Sequence, residues 1–220
     1  MWGRVCAVGL LATVLTGCED MDVGLPLLAG GQDATAQGIR TLRLLDGAVR
    51  VRGPAAYCVD QRASRSRDGF AVLAGCALMS GSATGMPAID GLITVQFGDA
   101  DTASIAGNEA AFASFIESDA GRALLASDGN AANVEQVATI ADFGGVLAWF
   151  EDRSGPAVEG TTGPQWRGFL DIDGRLVTVS VMSFARQPMT RAEGERLLVV
   201  TMAELSEINV AVASAEQDGT

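Results

Sequence analysis

The fold of this chain is decided by residues 166–182, which read WRGFLDIDGRLVTVSVM. Near the middle, Asp173-Gly174 is a dipeptide that favours the two-residue type I′ turn, whose twist suits the strands of a β-hairpin. Apolar residues alternate with polar ones on both sides of this turn, so each set shares one face of the hairpin. One face, which we expect to be core, carries Trp166, Leu170, Ile172, Val177, Val179 and Val181. The opposite face carries Arg167, Asp171, Thr178 and Ser180.

Strand patterns before this hairpin predict the rest of a sheet. Residues 134–141 and 146–151 predict a second hairpin around Asp142-Phe143-Gly144-Gly145. Earlier strands are predicted at 48–52, 70–76 and 92–97, within an ordered body that begins near Ile39. The segment between the first two of these strands is rich in Arg and Ser, and we expect it to be a polar loop.

A helix is predicted between the early strands and the two hairpins. It begins at about Asn108, a residue type that can cap a helix, and carries Phe112, Phe115 and Ile116 at helical spacing. The helix is expected to end near Leu124 and Leu125, although Gly121 weakens its second half.

A longer helix is predicted at the C-terminus. It begins with a capping box at Thr190-Arg191-Ala192-Glu193. Apolar residues then step by three or four positions along one stripe, which consists of Leu198, Met202, Leu205, Ile208 and Val212. The complete order of elements predicts a single α+β domain, in which an antiparallel sheet is packed by the long C-terminal helix and one or two other helices.

The N-terminus has the pattern of a cleaved signal rather than of a membrane span. Arg4 supplies a positive charge, and the apolar stretch from Val5 to Leu15 is much shorter than the roughly 20 residues that a spanning helix needs. Directly after it, Leu15-Thr16-Gly17-Cys18 resembles the lipobox of bacterial lipoprotein precursors. An ordinary secretory signal that happens to precede a cysteine is the alternative.

The lipobox resemblance implies that Cys18 is acylated and becomes the first residue of the mature chain. Two or three acyl chains would make attachment to the cell membrane or outer membrane effectively permanent, with the body facing the periplasm. The chain then divides into a signal peptide (1–17), a lipidated flexible tether (18–38), the α+β domain (39–214) and a disordered tail (215–220).

The order of elements also resembles a known family. From about Leu92 to Val212 it is similar to that of small PsbP-like domains, some of which are lipoproteins. The likeness rests on element order alone, so it implies no site residues.

Composition excludes much common enzyme chemistry. The chain has no His, and all 15 basic residues are Arg, so His-dependent nucleophiles, His-ligated metals, Schiff bases and P-loops are ruled out. The formal net charge is −12, which disfavours nucleic acid as a partner. We expect neither a cofactor nor a metal.

The four cysteines reduce to one pair. Cys6 leaves with the signal peptide and, by the resemblance, Cys18 carries the lipid, so Cys58 and Cys76 remain in a compartment where thiols are oxidised. We predict a structural disulfide between them, because a redox-active pair would be expected to have Cys-x-x-Cys spacing.

Arg62, Arg65 and Arg67 form the best candidate for a recognition patch. Three arginines in one loop can hold a phosphate or an acidic partner through charge-assisted hydrogen bonds. The alternative is that they lie on an ordinary solvated loop.

Acidic pairs offer a second class of function. Asp99 with Asp101, and Asp171 with Asp173, look like fragments of calcium loops but lack the full spacing. Together with Glu151 and Asp152 they include the carboxylates that glycoside cleavage needs. We assign no catalytic residue. The first hypothesis is therefore a non-catalytic envelope lipoprotein that binds or scaffolds an envelope protein, and the alternative is an anchored carboxylate-dependent hydrolase, for example one that acts on glycans.

Overall fold

A computed structural model describes the backbone of residues 39–80, 86–142 and 144–217, with side chains to residue 210. The predicted signal peptide, lipidated Cys18 and tether lie outside these residues. The described strands are β1 (Thr41–Leu44), β2 (Val49–Arg52), β3 (Tyr57–Arg65), β4 (Phe70–Gly75), β5 (Gly91–Phe97), β6 (Val134–Asp142), β7 (Gly145–Asp152), β8 (Thr161–Ile172) and β9 (Arg175–Phe184). The described helices are α1 (Cys76–Ser80), α2 (Glu109–Glu117), α3 (Asp119–Leu125) and α4 (Arg191–Gln217).

Seven strands form one antiparallel sheet in the order β3-β4-β5-β9-β8-β7-β6. The predicted β8–β9 hairpin lies within the sheet, and Ile172 pairs with Arg175 across the Asp173-Gly174 turn. β1 and β2 form a separate two-stranded sheet. The α+β class, with a long C-terminal helix on an antiparallel sheet, is confirmed.

The first face of the large sheet is covered by α4 and by the β1–β2 hairpin. All six residues predicted for the core face of β8–β9 are buried there, as are Leu44, Val49, Leu198 and Leu205. The prediction of this face is therefore confirmed. Burying apolar surface contributes about 25 cal/mol per Å², which makes this cluster a principal source of stability.

The opposite face is covered as well, by α2 and α3. Phe169 packs there with Ile116, Leu125 and Phe150 in a second buried cluster. Arg167 fits among apolar side chains because its guanidinium donates to Ser180 Oγ (3.3 Å) and to the Leu124 carbonyl (2.9 Å). Burial lowers the pKa of Arg167, whereas the charge of Asp152 acts in the opposite sense.

The single helix predicted from Asn108 is wrong, because the chain breaks at Ser118 into α2 and α3. Asn108 precedes α2 but makes no side-chain capping hydrogen bond. Ser118 has extended backbone angles, and its hydroxyl accepts from the Gly121 amide at 3.3 Å, which caps α3. A β-carbon at Gly121 would lie 2.2 Å from the Phe115 carbonyl oxygen, so the absence of a side chain allows the two helices to meet.

The polar loop predicted between the early strands is also wrong, because most of it is the edge strand β3. The pairing of β3 with β4 shifts between Asp60 and Arg65. Asp60 Oδ1 accepts from the Arg62 and Ala63 amides, and Ser64 Oγ accepts from the Val72 amide. Polar side chains thus supply hydrogen bonds where the ladder is irregular, so apolar alternation does not mark this strand.

Helix α4 has the predicted N-terminus. The Thr190 amide donates to Glu193 Oε2 at 2.8 Å, and the Glu193 amide donates to Thr190 Oγ1 at 3.2 Å, so the capping box is confirmed. The helix extends to Gln217, past the predicted domain end at 214, and residues 218–220 of the predicted tail lie outside the described residues. Among the helices described, none combines the length and apolar character required to cross a bilayer.

Candidate anion-binding surface

The structure separates the three arginines that the sequence groups together. Arg62 and Arg65 lie on β3, and Arg67 lies in the short helical turn Ser66–Asp68 that follows it. Arg65 pairs with Asp68 at 3.4 Å and stacks over the Phe70 ring at 4.3 Å. Of the three, only Arg67 lines a depression that a second arginine, Arg43, also lines.

A second set of arginines lies on the β1–β2 hairpin. Arg43 is paired directly with Arg50, so the two side chains share one face. The alternate pair, Leu44 with Val49, is fully buried, which places the arginines on the outward face. Like charges directly opposite one another are unfavourable. The Nε atom of Arg50 is buried without a hydrogen-bond partner in the described part of the chain.

Arg43 and Arg67 meet across a depression of about 290 Å³. Its walls also include Asp46, Gly47 and Ser66. We call these five residues, together with Arg50 beside them, the arginine surface. It joins the turn of the β1–β2 hairpin to the turn between β3 and β4.

The hairpin turn at this surface has an unusual backbone. Leu45, Asp46 and Gly47 have consecutive positive φ angles of 52°, 56° and 99°. Such angles are costly for residues other than glycine and are often found at functional sites. The Leu45 side chain lies against Gly69, where an added β-carbon would be 3.4 Å from Leu45 Cδ2 and 2.9 Å from the Phe97 carbonyl oxygen. Close packing at Gly69 therefore holds the two turns together.

In the part of the chain that the structure describes, the arginines of this surface lack the acidic partners that a neighbouring arginine has. Arg52, which follows on the same face, is neutralised by Glu204 at 2.8 Å and Glu207 at 3.7 Å. Neither Arg43 nor Arg67 has an ion-pair partner in the described residues, and neither has Asp46. With two arginines and one aspartate among its lining residues, the depression carries a net positive charge on a chain of net charge −12.

Helix α4 fixes the backbone beneath these charges. The Arg50 amide donates to Asn209 Oδ1, and Asn209 Nδ2 donates to the Arg50 carbonyl, both at 2.9 Å. The side-chain amide thus occupies the edge of β2 as a neighbouring strand would. Arg50 is consequently held in register with Arg43.

The predicted pair Asp171 and Asp173 serves the fold. The Asp171 carboxylate accepts from the Ser104, Ile105 and Ala106 amides at 2.8–3.0 Å, and Asp173 lies in the hairpin turn. Among the described residues, no group of three or more acidic or sulfur side chains is arranged to hold a metal ion.

The carboxylate of Asp152 likewise accepts hydrogen bonds that stabilise the fold. Its carboxylate accepts from the Ser127 amide at 2.7 Å and from the amide and hydroxyl of Ser154 at 2.9 and 2.6 Å. Burial acts to raise the pKa of Asp152, but these hydrogen bonds outweigh it and leave the pKa below its usual value. The neighbouring Glu151 accepts from Gln136 Nε2 at 3.1 Å. A low pKa is the reverse of what a catalytic acid requires.

Cys58 and Cys76 are joined by a disulfide, which links β3 to the start of α1. The point where the chain enters the domain lies beside this bond. Ile39 forms an isolated antiparallel bridge with Val59, and Arg40 Nη1 donates to the carbonyls of Pro54 and Tyr57. The disulfide and the entry of the chain therefore share one edge of the large sheet.

Two tryptophans that pair across β7 and β8, Trp149 and Trp166, differ in exposure. Trp166 is 2% exposed, and its Nε1 donates to the Arg191 carbonyl at 2.9 Å. Trp149 is half-buried, with the Arg191 guanidinium 4.4 Å from its ring centre. Both line a small cleft of about 120 Å³ at the N-terminus of α4. The cation that stacks on the two rings is the guanidinium of Arg191, which belongs to the same chain.

Sequence reasoning found Arg67 but missed Arg43 and Arg50. The signal was present in the run Val49-Arg50-Val51-Arg52, where every second residue is a cation on a predicted strand. What the sequence does not show is that β1 pairs with β2 and that their turn meets the turn after β3.

Comparisons with known proteins add little to this geometry. No family model and no curated protein sequence matches the chain. A crystal structure of the Ran-binding protein Mog1p from Saccharomyces cerevisiae matches with a TM-score of 0.42 and 11% identity, over 78% of this chain and 94% of that one. A single-residue variant of Mog1 matches with the same TM-score and 12% identity, over 76% and 93%. No conclusion about function rests on matches of this strength, and the PsbP-like resemblance stays a prediction.

Proposed function

We propose that this protein is a lipid-anchored envelope protein whose domain binds an anionic partner through the arginine surface. Cys18 carries the lipid, the chain up to Ile39 connects it to the domain, and the body faces the periplasm from the cell membrane or the outer membrane. The domain acts by binding and not by catalysis.

The observation that carries the proposal is the pairing of Arg43 with Arg50 next to Arg67. Three arginines without ion-pair partners in the described residues are unfavourable in isolation and become favourable when an anion contacts them. Arginine suits this task because its planar guanidinium binds carboxylates and phosphates in a bidentate manner.

No observation favours the hydrolase alternative to the same degree. The carboxylates that it would need at Asp152 and Asp171 are engaged by backbone amides. The binding hypothesis therefore has the stronger support.

The anchor is tested by metabolic labelling with a fatty acid. We expect the wild-type protein to be labelled and the variant Cys18→Ala to lose the label completely, because the alanine side chain has no thiol to acylate. The variant Cys6→Ala is the matched control and should be labelled as the wild type is, since Cys6 leaves with the signal peptide. Label that persists in Cys18→Ala would disprove the anchor assignment.

Partner binding is tested by crosslinking in the native envelope. The chain has no Lys, so a photo-reactive amino acid at the exposed position Ala48, beside the depression, is a better probe than an amine-reactive reagent. We expect Arg43→Glu and Arg67→Glu each to reduce capture of the partner by at least about tenfold, since each replaces an attraction by a repulsion.

Two further variants give this experiment its controls. Arg196→Glu changes the same charge at an exposed position on α4, away from the arginine surface, and should leave capture unchanged. Arg62→Glu tests the grouping predicted from sequence. Loss of capture in Arg62→Glu with full capture in Arg43→Glu would contradict the arginine surface defined here.

A further inference from the structure

We propose that the depression of the arginine surface binds a phosphoryl group attached to a hydroxyl-bearing organic group, as in a polyol or sugar phosphate. This inference rests on the proposed function and names the chemistry that its surface recognises. It follows from the side chains that line the depression and from its size.

The cationic part of the depression suits a phosphoryl group. Arg43 lies on β1 and Arg67 in the turn after β3, so the two guanidinium groups come from different elements, as contact with different oxygens of one tetrahedral anion requires. Arg50, paired with Arg43 and with a buried Nε that has no partner in the described residues, reinforces the positive potential. A phosphoryl group offers three strong acceptor oxygens, more than a carboxylate does.

The remaining polar groups suit a ligand that also donates hydrogen bonds. Asp46 is exposed on the same walls and has no ion-pair partner in the described residues. A carboxylate repels a bare phosphate but accepts hydrogen bonds from hydroxyl groups. Ser66 Oγ is able both to donate and to accept. The combination of two arginines, one aspartate and one serine therefore matches a phosphate ester of a polyhydroxylated compound.

The size of the depression agrees with this reading. Its volume of about 290 Å³ lies just below the range for small-molecule sites, which begins at about 300 Å³. A depression of this volume has room for a phosphate with a few additional carbon and oxygen atoms.

Two sources in the envelope carry a phosphate ester beside hydroxyl groups, namely a soluble polyol phosphate, whose monoester has three terminal oxygens, and the phosphatidylglycerol headgroup, whose diester has two. The probes are glycerol 3-phosphate, inorganic phosphate and glycerol, titrated calorimetrically into the mature full-length protein in neutral detergent. We expect glycerol 3-phosphate to bind more tightly than inorganic phosphate and glycerol to give no signal. Arg43→Gln and Arg67→Gln should each weaken binding of glycerol 3-phosphate by about tenfold or more, whereas Arg196→Gln should not.

The variant Asp46→Asn provides the sharpest readout. Removing the negative charge should strengthen binding of inorganic phosphate and reduce the preference for glycerol 3-phosphate, so the ratio of the two affinities changes by several fold. If the site recognised a bare anion, Asp46→Asn would raise the affinity for both ligands by the same factor. An unchanged ratio, or equal binding of both ligands by the wild type, would overturn the inference.

Vesicles distinguish the two sources. If the headgroup is the ligand, glycerol 3-phosphate should bind more weakly to protein in phosphatidylglycerol vesicles than in vesicles of equal charge that contain oleate. Equal affinity in both assigns the site to the soluble compound. Loss of partner capture in Arg43→Glu, without any binding of glycerol 3-phosphate, would leave the proposed function standing and would refute this inference alone.

Discussion

We expect the double variant Cys58→Ala/Cys76→Ala to lose about 3 kcal/mol of unfolding free energy. The disulfide spans a sequence separation of 18 residues, and in the chain-entropy model closing a loop of this size stabilises the folded state by about that amount. The effect should be large because β3 is an edge strand whose second half pairs irregularly with β4, so the covalent bond replaces contacts that this edge lacks.

Denaturant titration, followed by circular dichroism, measures this loss. Wild-type protein with reductant should unfold at the same midpoint as the double variant, and reductant should not affect the variant. Thiol titration of the unfolded, unreduced mature protein should find no free cysteine. Two free thiols, or equal stability of the wild type with and without reductant, would contradict the prediction.

The variant Gly121→Ala should be destabilised by about 3 kcal/mol, at the upper end of the usual range for overpacking. The new β-carbon would lie 2.2 Å from the Phe115 carbonyl oxygen and 2.4 Å from Ile116 Cα, and both are backbone atoms that cannot rotate away. Helix α3 must then move away from α2, which opens the buried cluster that contains Ile116 and Leu125.

Gly163→Ala is the matched control for this substitution. Apart from the residue itself and its two chain neighbours, no heavy atom lies within 4 Å of a β-carbon placed at Gly163. The unfolding free energy of Gly163→Ala should therefore stay within about 0.5 kcal/mol of the wild type. Thermal unfolding monitored in parallel for both variants makes the comparison. Equal stability of Gly121→Ala and Gly163→Ala would show that the α2–α3 corner adjusts freely, contrary to the packing described.

Local sequence patterns were enough to predict those parts of the fold whose interacting residues are close together in the chain. The Asp173-Gly174 turn and period-two alternation were enough to place Trp166 and Val179 on the core face of the sheet. The capping box at Thr190 and Glu193 was enough to place the start of α4, since both partners lie within one helical turn. In each of these cases the interacting residues are near neighbours in the chain or across one hairpin.

The features that were missed depend on distant partners. Arg167 fits between sheet and helix because the Leu124 carbonyl is there to accept from it, a contact that no local pattern predicts. Strand β3 was overlooked because Asp60 and Ser64 complete its hydrogen bonding in place of a regular ladder. The arginine surface requires two turns, at residues 45–47 and 66–68, to meet, and sequence spacing does not reveal that meeting.

The entry of the chain at Ile39 has a mechanical consequence. Tension applied through the N-terminal segment would reach the domain at the bridge from Ile39 to Val59 and at the hydrogen bonds of Arg40. Val59 adjoins Cys58, which the disulfide ties to the start of α1, so these first contacts are made to an edge strand that is reinforced covalently. Reduction of the disulfide would leave the strand that receives this tension held by hydrogen bonds and packing alone.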